Sequence, residues 1–169
     1  MLRFLFQRLT PARGSALFEA LVGEARQPHW YVAGQVPDTI DGRFAMLSTL
    51  IALASIRLDH GGEESQEASA ALTERFVEAM DTEHRELGIS DPAIGKKVRK
   101  LVGSLAGRID LWRGALDDCD RWDETAAKSL FRDSPPAAQA VEHCGQHLRL
   151  LWTRLAALPD EAVAEGRLT

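Results

Sequence analysis

The chain has no apolar run long enough to cross a bilayer. Its longest uncharged stretch, residues 44–56, includes Ser48, Thr49 and Ser55 and falls short of the roughly 18–20 apolar residues a span requires. It reads as a buried helix, not an anchor. Cysteine is scarce too. Cys119 and Cys144 are the only two, with no C-x-x-C spacing, which argues against a disulfide framework or a thiolate zinc knuckle and suits free thiols in a reducing compartment. Apolar and polar residues never alternate long enough to seed a sheet. There is no glycine-rich phosphate loop, no G-x-S-x-G, and no Ser, His and Asp spacing that marks a triad, so no local catalytic signature is present. No internal repeat is visible.

What remains is an ordinary globular composition. The 169 residues are 45% hydrophobic and 27% charged, enough for one core and one domain. A formal charge of -5 gives no global attraction to nucleic acid or anionic lipid, so any such contact needs a local patch.

Apolar residues recur with helical period almost throughout, which predicts an all-α, single-domain helical bundle of about six to seven helices. Residues 1–13 form a short basic amphipathic segment, with Arg3, Arg8 and Arg13 among Leu2, Phe4, Leu5, Phe6 and Leu9. It lacks a secretory cleavage pattern, and a peripheral membrane contact and docking on the domain both stay open for it. The helical domain covers 14–158, and an acidic, fraying tail covers 159–169.

Within the domain a first helix is expected over 15–26, capped by Ser15. Pro28, Gly34 and Pro37 make 27–38 a loop, and its His29, Trp30 and Tyr31 suggest that it packs on the domain. A second helix begins at 38–41 on a Thr39 or Asp41 cap and runs to Leu58. It is apolar on every side and therefore central. The third covers 63–86. Gly88 with Ser90, Asp91 and Pro92 marks the next break. The fourth runs to Leu116 on a stripe containing Ile94, Val98, Leu101, Leu105, Ile109 and Trp112. A short helix over 121–131 and a long one opened by Ser134-Pro135-Pro136 and stopped by Pro159 complete the set.

Four glycines, Gly95, Gly103, Gly107 and Gly114, sit in the fourth helix, each costing about 1 kcal/mol relative to Ala. Gly103 and Gly107 beside Ala106 would let another helix, from this chain or a client, approach closely. Charge is segregated as well. Nine acids face two arginines between Asp59 and Ser90, whereas six cations face two acids between Asp91 and Arg113. The two helices could neutralise each other, or the second could offer a basic docking surface.

Two motifs invite metal chemistry. His143 and His147 are spaced four apart, as helical zinc ligands are, yet Cys144 stands where a metalloprotease needs Glu. The acids between Asp117 and Glu124 fail as a calcium loop because Trp122 occupies a ligand position, and they read as a solvated link. No cofactor and no metal are expected. The alternative kept open is a metal- or small-ligand-binding helical module using His143 and His147 with Cys119 or His84. A magnesium-dependent enzyme built on the acids is weaker still.

Several segments carry a resemblance. Pro37-Asp38-Thr39-Ile40-Asp41-Gly42-Arg43-Phe44, Met80-Asp81, Arg85-Glu86-Leu87-Gly88-Ile89-Ser90-Asp91, Ile94-Gly95-Lys96-Lys97-Val98 with Lys100, and Gly107-Arg108 follow in order. Over residues 30–116 the chain resembles the ubiquinol-cytochrome c chaperone family, departing from it at Leu105-Ala106, where relatives show Phe-Tyr, and at Trp112, where Tyr is common. The resemblance implies a non-enzymatic assembly chaperone of the cytochrome bc1 complex, ubiquinol-cytochrome c reductase of the respiratory chain. Its client would be newly made cytochrome b, with a ribosome or a small partner protein as further contacts. Without a convincing transit peptide, the expected residence is bacterial and cytoplasmic, peripheral at the inner membrane. The expected contact surface is Arg43, Lys96, Lys97, Lys100, Arg108 and Trp112. Capping and ion pairing are the structural alternative for Arg43, and plain core packing is the alternative for Trp112.

Overall fold

In the computed structural model, residues 14–86, 91–132 and 134–168 are described, excluding the side chains at 81, 83–86, 91–95, 97 and 98. The helices are α1 (Ser15–Ala25), α2 (Pro28–Val32), α3 (Ile40–Asp59), α4 (Glu63–Glu86), α5 (Asp91–Asp117), α6 (Trp122–Phe131), α7 (Ala138–Ala157) and α8 (Asp160–Ala164). A 3-10 turn, Cys119–Arg121, leads into α6. Among the described residues there is no strand, and the all-α reading holds. The six longer helices match the expected ones, while the five-residue α2 and α8 were not foreseen. The basic segment 1–13, the side chains of Asp91, Ile94, Lys97 and Val98, and the break expected at Gly88 and Ser90 lie outside the described residues.

The apolar circumference of α3 places it at the centre, in contact with α1, α4, α5, α6, α7 and α8. Met46, Leu50, Ile51, Leu53 and Ile56 are fully buried around it. Two of its buried hydroxyls find partners one turn back: Ser48 Oγ donates to Phe44 O at 2.6 Å and Thr49 Oγ1 to Ala45 O at 2.7 Å, which removes the cost of leaving them unpaired. At the N-terminus Thr39 is the cap, accepting from the Gly42 N–H at 3.2 Å. A side chain at Gly42 would run into the carbonyl of Pro37, so the 37–39 turn closes tightly on α3 only because position 42 has none.

Two expected boundaries change. Ser15 does not cap α1. Gly14, with φ +79°, occupies the cap position, and no side chain bonds there. The 27–38 segment is not all loop, because Pro28 sits in the first turn of α2, where its missing N–H costs nothing. Trp30 is fully buried. Its Nε1 donates to Glu24 O at 2.9 Å, and Tyr31 Oη donates to Ala25 O at 2.7 Å. The two rings thereby satisfy carbonyls that the end of α1 leaves open.

The C-terminal residues are not frayed either. Ala162, Val163 and Leu168 are buried, and α8 packs on α1, α3 and α4. Arg57 ties the end together. It donates from Nε to Leu155 O at 2.9 Å and from Nη2 to Leu158 O at 2.7 Å, and pairs through Nη1 with Asp160 Oδ1 at 2.8 Å. No helix among the described residues is long and apolar enough to cross a membrane.

Candidate functional site

Side chains from α1 to α5 enclose an open groove of about 1180 Å³. Its apolar lining comes from Phe18 and Val22 of α1, Phe44 and Leu47 of α3, Met80 of α4 and Leu101 of α5. Arg26, Arg43, Lys100 and Arg132 line it too, against Asp38 and Asp41, so among the described residues of the lining cations outnumber acids. Val32 and Ile40, 78% and 61% exposed, belong to the same lining. Large apolar residues this exposed beside a concave apolar surface are the usual sign of a binding groove. Tyr31 adds a hydroxyl whose pKa is raised, mainly by burial and against the opposing pull of Arg43.

Of the residues singled out from sequence, Arg43 and Lys100 line the groove. Arg43 Nε donates to Asp38 Oδ1, a neighbour in the turn, at 2.7 Å. Lys96 is exposed one turn before Lys100. Lys97 has no described side chain.

Lys96, Lys100, Gly103 and Gly107 step by four, three and four along α5 and therefore share one face. Gly103, Ala106 and Gly107 are exposed, and a Cβ at either glycine would meet nothing within 4 Å. The expected close approach is thus not made by another part of this chain among the described residues.

Arg108 and Trp112 require correction. Arg108 is 8% exposed. It donates from Nη1 to Ser104 Oγ at 2.7 Å and from Nη2 to Ser129 O at 3.2 Å, with its guanidinium 5.6 Å from the Phe44 ring centroid. Burial, then the nearby Arg132 charge, lowers its pKa to about 10. Trp112 is fully buried, donates from Nε1 to Ser129 Oγ at 3.2 Å, and meets Trp122 edge-on with ring centroids 4.9 Å apart. Both side chains hold α5 to its neighbours and offer no surface to a partner. Arg108 lies three residues after Leu105 and four before Trp112, so the inward stripe of α5 includes it.

The groove walls from α1 and α2 were not foreseen. Phe18 and Val22 sit one position beyond the buried Leu17 and Leu21, and that widened apolar face was their only signal in the sequence. His143 and His147 are half-buried on α7. Cys119 is exposed, and Cys144 is buried, which pushes its thiol up to about 12. The side chain of His84 lies outside the described residues.

Comparison with known proteins bears on this geometry. No curated protein matches the chain. Among solved structures, the crystal structure of the Cbp3 homolog from Brucella abortus is similar at 30% identity with a TM-score of 0.79, covering 98% of this chain and 94% of that one. The family model described as ubiquinol-cytochrome C chaperone matches residues 32–169, which extends the likeness seen in the sequence through α6, α7 and α8. The chain belongs to the ubiquinol-cytochrome c chaperone family.

Proposed function

We propose that this assembly chaperone of the bc1 complex holds newly made cytochrome b by seating one of its helices in the groove between α1 and α5. The observation that carries the reading is the pairing of an apolar lining with a cationic excess among its described residues, in an open concavity of about 1180 Å³. That volume exceeds the roughly 300–1,000 Å³ of a small-molecule pocket. It suits one face of a helix about 10–12 Å across, recognised as an apolar stripe laid into a groove. Arg43, Lys96 and Lys100 meet acidic groups of the client at the edge, and the Gly103–Gly107 face lets a client helix come close. The chain works by shielding apolar surface, not by chemistry, at the cytoplasmic face of a bacterial inner membrane. A small partner protein and the ribosome are further contacts that the family resemblance suggests, and the basic amphipathic pattern of segment 1–13 suits a peripheral membrane contact.

The test is co-purification of cytochrome b from a membrane-containing lysate of cells that make the bc1 complex. Val32→Glu with Ile40→Glu changes two exposed groove residues, and each apolar side chain buried on binding is worth about 1.5–3 kcal/mol. Client recovery should fall at least tenfold with the helical circular dichroism unchanged. Full recovery with this double variant would remove the groove from the mechanism, and full recovery with Lys96→Glu and Lys100→Glu would remove the basic edge.

A further inference from the structure

Three of the five histidines of the chain meet at one place, away from the groove lining. His143 and His147 stand one turn apart on α7, and His29 reaches them from α2, 114 residues earlier than His143. A ligating nitrogen from each lies within 4.8 Å of the others. We infer that His29, His143 and His147 form a binding site for a divalent transition-metal ion of the zinc class.

The geometry is close to what such an ion requires. Zinc binds imidazole nitrogen at roughly 2.0–2.1 Å in a tetrahedron, which sets two ligand nitrogens about 3.3–3.4 Å apart. His29 Nδ1 and His143 Nε2 are already 3.1 Å apart. One of them donates to the other there, so binding needs the donor ring to carry its proton on its other nitrogen and the His147 nitrogen, within 4.8 Å, to close on the pair. His147 is prepared differently. Its Nδ1–H donates to the backbone oxygen of His143 at 2.8 Å, which leaves Nε2 as the nitrogen with a lone pair and holds the ring as an outer hydrogen bond holds a metal ligand.

The donor set selects the ion. Three neutral imidazoles suit zinc, copper or nickel and give calcium or magnesium nothing to prefer. Cys144 stands beside His143 in sequence but takes no part. Its Sγ is buried and donates to Gly34 O at 3.5 Å. All three rings are partly exposed, so an ion can enter from solvent and water can complete its shell.

An ion held here would join α2 to α7. The same short helix contributes Pro28, Tyr31 and Val32 to the groove, so the ion would fix one groove wall. The site itself stands independently of what the groove binds.

The experiment uses the full chain without a histidine tag, titrated calorimetrically with zinc chloride and, separately, with cobalt(II) chloride followed by visible absorption. One equivalent of zinc per chain, a tetrahedral cobalt spectrum and a zinc-dependent rise in Tm are expected. Losing an outer-shell partner alone weakens a metal site 10–100-fold, so His143→Gln, or His29→Gln as a second variant, should weaken zinc at least tenfold. Zinc uptake well below one equivalent, or affinity unchanged in both folded variants, would overturn the assignment.

Discussion

The guanidinium of Arg108 reaches across from α5 to the backbone oxygen of Ser129 in α6, 3.2 Å away. Its other face lies over Phe44, itself part of the groove lining. A cation expected at a client surface instead supports the groove from beneath. Hydrogen bonds to a charged donor contribute roughly 1.5–3 kcal/mol. Arg108→Ala should therefore lower unfolding stability by about 2–3 kcal/mol in a urea titration. A loss within 0.5 kcal/mol, the usual range for surface substitutions, would return Arg108 to the surface.

Ser129 joins three helices through one hydroxyl. Thr49 Oγ1 and Ser129 Oγ lie 2.6 Å apart, and Trp112 Nε1 donates to the same Oγ. Ser129→Ala leaves the indole N–H buried without its partner, a penalty of about 1–3 kcal/mol. The denaturant midpoint should fall with an unchanged m-value.

Gly42→Ala sets a methyl against the Pro37 carbonyl. The 37–39 turn must shift, and Thr39 loses its grip on the first turn of α3. Crowding of this kind costs about 1–3 kcal/mol, and an N-cap about 1 kcal/mol. Thermal unfolding of Gly42→Ala and Thr39→Ala should rank in that order.

Acid should act through Asp160. Its hydrogen bond with Arg57 is the largest of the causes that hold its carboxyl below its ordinary pKa. A carboxyl lowered in the folded state contributes stability that is complete above its unfolded pKa and fades as pH falls through the folded one. The stability gap between wild type and Asp160→Asn should be level from neutrality down to about pH 5. Below about pH 4 it should close. A gap that widens in acid would contradict the pairing.

The two thiols should differ sharply towards an alkylating reagent at pH 8. Exposed Cys119 should react at once. Buried Cys144, pushed up to about 12, should react only on unfolding. Mass spectrometry of the native protein should find a single label, on Cys119.

The helical period made most of the bundle legible, because an inward face is a local property of each segment. The apolar circumference of α3 sufficed to place it centrally. The same period contained the position of Arg108, but residue type spoke against burial, and a long side chain with hydrogen-bond partners can be an exception. Pro28 read as a breaker where it begins α2. The short α8 owes its order to a tertiary contact, Arg57 to Asp160, which no local window shows, whereas α2 is tied back to the end of α1 by Trp30 and Tyr31, whose ring bonds the helical period does not reveal. The candidate site was half visible. Arg43, Lys96 and Lys100 stood out by charge, whereas Phe18, Val22 and Tyr31 join them only after α1 and α2 fold against α3. His29 was likewise invisible as a companion of His143 until the chain closed on itself.

Photo-crosslinking tests the groove most directly. A photoreactive residue replaces Ile40 in the groove lining, or Leu150, which is similarly exposed at 58% but lies on α7 outside it. Irradiation is carried out in cells making the bc1 complex. The expected result is a cytochrome b adduct from position 40 and none from position 150. Equal adducts from both positions, or none from position 40, would contradict a client held between α1 and α5.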